Sequence, residues 1–179
     1  FGHAPSLAQM MGNGMHGHGH GMHRHGAGGV GHDMTNMPGL RGADATPEES
    51  AELAAMFNDF EKITRSVEIL PNGIRTITTS EDVDMMAVLV SHVSGMLTRV
   101  EAGRDPQVFI QSPTLDILFE RNESIRSEIE ITDGGIVVVQ TSDDPEVVAA
   151  LQTHAGEVSD MAERGMAAVH DMMMRRAQN

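Results

Sequence analysis

Apolar residues recur at spacings of three and four in Leu53, Met56, Phe57 and Phe60, the period of one helical face. Thr46 precedes this stripe as an N-cap, and Pro47 takes the first helical position. Glu48 and Glu49 put negative charge in the first turn, where the helix dipole favours it. The pattern predicts a helix from residue 47 to about Lys62. Its stripe needs a covering partner, so the helix belongs to a larger fold.

The period then shortens. Arg65 to Leu70 and Ile74 to Thr79 flank Pro71-Asn72-Gly73, while Ser127 to Ile131 and Ile136 to Thr141 flank Thr132-Asp133-Gly134-Gly135. Asn-Gly and Asp-Gly supply the positive φ of tight turns, so both pairs of segments are predicted as β-hairpins. Each hairpin leads into a serine, then acidic residues and a long apolar-periodic run. Ser80 and Ser142 read as N-caps of helices over residues 82–102 and 144–175. Gly103 closes the first of these, and the second is expected to continue through the equivalent Gly165. Between the two units, Ser112-Pro113 opens a short helix carrying Leu115, Ile117, Leu118 and Phe119.

The two units are copies of one another. With a shift of 62 residues and no gaps, residues 63–103 lie on residues 125–165 with thirteen identities in 41 positions. The identities include Gly73 with Gly135, Asp82 with Asp144, Leu89 with Leu151 and His92 with His154. The expected fold is α+β: an internally duplicated strand-strand-helix unit forming a four-stranded antiparallel sheet. Two long helices lie on one face around a pseudo-twofold axis, with an N-terminal helix in addition. A homodimer that extends the sheet is compatible with the same logic.

Residues 1–45 lack any sustained period and are dominated by Gly, His and Met. Such chain loses much entropy on ordering and has little apolar surface to offset it, so a disordered tail is expected, followed by a single domain over residues 46–179. Twelve basic against 26 acidic residues give a net charge of −14, which repels phosphate backbones and argues against nucleic acid as a partner. No run of 18 apolar residues occurs, so no membrane span is expected. The absence of cysteine removes thiolate chemistry and leaves imidazole, thioether and carboxylate as metal ligands. A start at Phe1 suits a mature product after signal-peptide removal, and with it a periplasmic or secreted protein.

His16, His18, His20, His23 and His25, with Met22 among them, form the densest part of the tail. Imidazole binds Cu(II), Ni(II) and Zn(II), whereas thioether selects Cu(I), so a segment with both is suited to copper in either oxidation state. Zinc or nickel would use the histidines alone. Imidazoles that titrate near about 6.5 should lose metal below that pH. In composition the tail resembles the His/Met-rich segments of exported bacterial copper-resistance and copper-delivery proteins. The resemblance covers the first quarter of the chain and implies copper binding or buffering in the periplasm. The plain alternative is a solubilising linker.

Within the domain, duplication brings His92 and His154 to equivalent places on the edges of their helices. His92 shares its edge with Met85, Leu89 and Met96, and His154 shares its edge with Val147, Val158 and Met161. His92, Met96, His154 and Met161 would make a copper site, or the two imidazoles would ligate a haem axially. The plainer reading has both histidines half-buried and structural. Met166, His170, Met172, Met173 and Met174 are either a third cluster or a methionine-rich helix end packing on the core. No Gly-x-Ser-x-Gly elbow or phosphate loop is present, and no catalysis is required by the reading. The leading expectation is an exported metal-binding protein. Its rivals are a haem or redox protein and a module that binds another protein.

Overall fold

A computed structural model describes residue 40, residues 42–108 and residues 110–179. Helix α1 (Pro47–Asn58) leads into the first hairpin, β1 (Thr64–Leu70) and β2 (Gly73–Thr79), and then helix α2 (Val83–Ala102). The short helix α3 (Thr114–Glu120) precedes the second hairpin, β3 (Ile125–Thr132) and β4 (Gly135–Ser142). Helices α4 (Pro145–Arg164) and α5 (Met166–Ala177) complete the chain. The four strands form one antiparallel sheet in the order β1-β2-β4-β3, with the two hairpins joined through β2 and β4. The registers are equivalent: Ile69 faces Ile74 in the first hairpin, and Ile131 faces Ile136 in the second.

Strand alternation decides which face is covered. Ile74, Thr76 and Thr78 of β2 and Ile136 and Val138 of β4 are buried on the helix side. Helices α2 and α4 both lie on that face, but each crosses towards the other repeat's hairpin. Thus α4 packs against β1 and β2, while α2 reaches β3. Gln152 of α4 donates to the backbone oxygen of Leu70 at 2.9 Å, tying the second repeat's helix to the first hairpin.

Several local expectations change. The first helix stops at Asn58, and Phe60–Lys62 forms a 3-10 turn instead of its last turn. Neither Asn72 nor Asp133 adopts positive φ, so the hairpins do not use the left-handed turn expected of Asn-Gly and Asp-Gly. Of the two repeated glycines only Gly135 takes a positive φ, 127°, and both also answer to packing. A Cβ on Gly73 would meet Gln140 O at 1.9 Å, and one on Gly135 would meet Thr78 O at 2.6 Å, both across the β2–β4 junction. The helix N-caps are Asp82 and Asp144, not the serines. Ser80 and Ser142 instead accept from the backbone N–H groups of those aspartates, turning the chain into the cap. The predicted single helix over 144–175 is broken at Gly165, with φ 59° and ψ −134°.

The packing extends ahead of residue 46. Leu40 is 1% exposed, Gly42 bridges Val108, and Asp44 pairs with Arg99 at 2.8 Å. Arg99 is buried in α2 yet fully provided for. It reaches both carboxylate oxygens of Glu49 at 2.5 and 2.7 Å and the backbone oxygens of Asp44 and Arg104. This fork fastens the start of α1 to the end of α2. Helix α2 is long and apolar enough to cross a membrane by length and composition. In this fold Met85, Leu89 and Val100 are buried, and Val93 and Leu97 are half-buried against the core.

Candidate functional site

Among the described residues, most buried apolar side chains fall into three clusters rather than one. The first gathers Leu40, Ala54, Val108, Ile110 and Val169. The second gathers Ile74, Leu118, Val147, Ala150, Leu151 and Ala155. The third gathers Met85, Leu89, Ile136 and Val138. Members of all three line a common cavity of about 300 Å³ between the sheet and helices α1, α2 and α4. The predicted α1 stripe of Leu53, Met56, Phe57 and Phe60 forms part of its wall.

His92, Met96, His154 and Met161 all line this cavity. The four domain residues expected to hold a metal are therefore brought to one space by two helices of different repeats. His92 is desolvated there, and its pKa is pushed down to about 4 by burial. Glu49 opposes that shift, while the neighbouring His154 adds to it. The ring is consequently neutral, the form that ligates metal.

His154 Nδ1 and Glu157 Oε1 lie 3.8 Å apart, too far for a hydrogen bond. Both atoms are buried and neither has a hydrogen-bond partner among the described residues, which is unusual for buried polar atoms. Burial raises the Glu157 pKa, but His154, Ser112 and Thr114 more than offset it, leaving the group below the ordinary value. Glu157 therefore supplies a carboxylate oxygen to the cavity beside an imidazole nitrogen.

Among the polar residues of the cavity wall that sequence reasoning overlooked, two carry charge. The first is Glu157, whose i, i+3 spacing from His154 puts it on the same helical face. The second is Arg65, which occupies an inward position of β1 by alternation with Val67. Its Nε donates to Ser159 at 3.3 Å and its Nη1 to Thr78 at 3.2 Å.

The other expected sites fare differently. His16, His18, His20, Met22, His23 and His25 lie outside the described residues. At the C-terminus, Met166 and Met173 pack against the first core cluster, while His170 is exposed. The helix-end packing reading fits this group better than a ligand cluster. Among the described residues no three His, Asp or Glu side chains form a metal-ligand group, so a metal in the cavity would have to draw on thioethers. Comparison with protein-family models, curated proteins and solved structures gives no match.

Proposed function

We propose that this protein binds copper, with one ion held in the cavity between His154 and Glu157. Met96 and Met161 supply thioethers, and among the described residues His92 lines the same cavity without completing a third His or Glu ligand. The observation that carries the reading is the orphaned pair, His154 Nδ1 and Glu157 Oε1, buried and 3.8 Å apart. An ion bound to both at ordinary nitrogen and oxygen distances would hold them roughly 3.4–4.2 Å apart, from a tetrahedral to a linear angle. Methionines in the same wall favour copper over zinc or nickel, which make little use of thioethers.

The tail then acts as a second, looser copper-binding element, on the strength of its interleaved His and Met. A periplasmic or secreted location goes with this proposal, supported by the tail's composition. The haem alternative suits the cavity poorly. At about 30 Å³ per non-hydrogen atom, 300 Å³ admits on the order of ten such atoms, several times fewer than a porphyrin contains.

The test is a competitive titration of the full chain with Cu(I) and Cu(II) against a chromogenic chelator. A His92→Ala/His154→Ala variant should lose one tight equivalent. A variant with His16, His18, His20, His23 and His25 changed to Ser should keep it and lose the weaker binding. Unchanged tight binding in the first variant would remove the cavity from the reading, and no copper binding by the wild type would end it.

A further inference from the structure

Arg65 has a different meaning from the histidines. Its guanidinium lines the cavity and is desolvated, so that burial lowers its pKa to about 10. It remains charged at neutral pH. Among the described residues it makes no salt bridge, and its hydrogen bonds go to two hydroxyls, Ser159 and Thr78. Other buried or half-buried cations of the fold are provided for, as Arg99 is by Glu49 and Asp44. A cation taken out of water without a counter-charge is costly, and such sites ordinarily acquire one.

The duplication shows that the fold itself does not need this charge. The position equivalent to Arg65 is Ser127, and the position equivalent to Thr78 is Gln140. There a neutral bond, Gln140 Nε2 to Ser127 Oγ at 3.1 Å, closes the same strand pair. Arg65 is thus an asymmetric addition to a symmetric scaffold, placed in the wall of a space that is otherwise mostly apolar.

We infer that the cavity takes a small apolar monocarboxylate, a medium-chain alkanoate, whose carboxylate pairs with Arg65 while its chain lies among Leu53, Phe57, Ile74, Leu89 and Val138. The guanidinium fork matches a carboxylate's two oxygens. The volume sets the length: space for about ten non-hydrogen atoms corresponds to an acid of roughly eight carbons. A cavity of about 300 Å³ lies at the lower end of the range for small-molecule sites. The inference stands on Arg65 and the cavity wall, and does not depend on copper.

The probe is octanoate, titrated calorimetrically into the full-length protein in the presence of a metal chelator, with 1-octanol and octylamine as matched controls. Octanoate should bind saturably at one site, at least tenfold more tightly than either control. Arg65→Gln should abolish that preference, and Arg65→Lys should retain part of it. The chelator keeps metal out of every titration, which separates this inference from the metal reading. Octanol binding as tightly as octanoate to the wild type would overturn it without recourse to any variant. So would unaltered octanoate affinity in a folded Arg65→Gln protein, or no saturable binding at all.

Discussion

Arg99 and His92 sit two turns apart on α2 and carry opposite electrostatic burdens. Arg99 is 3% exposed, but each of its nitrogens has an acceptor, and its hydrogen bonds hold the Glu49 carboxyl down at about 2. Arg99→Met would strand Glu49 and Asp44 and should cost about 3 kcal/mol, read as a lower urea midpoint. His92 is compensated only in part, by Glu49. Its folded pKa of about 4 lies below the ordinary 6.5, so the folded state binds fewer protons than the unfolded chain between those values. Its contribution is complete above pH 6.5 and is lost as pH falls towards 4. The groups facing it are Glu49 on α1 and His154 on α4. Metal-free protein should therefore lose up to about 3 kcal/mol across that window, before the Glu49 carboxyl begins to protonate. Denaturant titrations at several pH values should show this slope in the wild type and a much flatter one in His92→Gln.

Helix ends and glycines separate local signals from tertiary ones. Thr46, Pro47 and Glu49 form a complete capping box, as the order of residues implies, because the cap closes within four residues. Gly165 answers to something more distant. Its backbone is left-handed in φ, and a Cβ there would come within 2.6 Å of Phe60 Cδ1. Gly165→Ala should cost more than about 2 kcal/mol, since both the turn and the Phe60 contact would have to shift. Gly95 and Gly156 provide the contrast, each within a helix with nothing inside 4 Å of an added Cβ. Alanine at either should raise stability by about 0.5–1 kcal/mol, visible as an upward shift in Tm.

The crossing of the helices makes the two repeats interdependent. Helix α4 covers β1 and β2, and its Ser159 and Gln152 bond to Arg65 and to Leu70 of the first hairpin. A fragment spanning residues 40–103 would leave that hairpin's helix-side face open and the β2 edge unpaired. It should lack the cooperative unfolding transition of the whole chain, monitored by circular dichroism, and so should a fragment spanning residues 104–179. Mixing the two should restore structure if the crossed packing is the main stabilising interaction. The same crossing brings His92 and His154 to one cavity, because each helix is carried towards the other repeat's hairpin.

The duplication, the two hairpins, the antiparallel α+β sheet and the inward stripe of α1 were legible in the order of residues, since each rests on a short repeat of pattern or on contacts within a few residues. The ends of elements were less so. Where α1 stops, where α4 breaks and why Gly73 and Gly135 are glycine all depend on atoms from other strands and helices. The histidines were visible as repeated positions, but their meeting at one cavity follows from helix crossing, which pattern does not encode. Arg65 looks in the sequence like an ordinary strand residue. Only the folded chain shows it desolvated and, among the described residues, bonded to hydroxyls without a salt bridge, because the burial of a charge and its pairing are properties of the surrounding space.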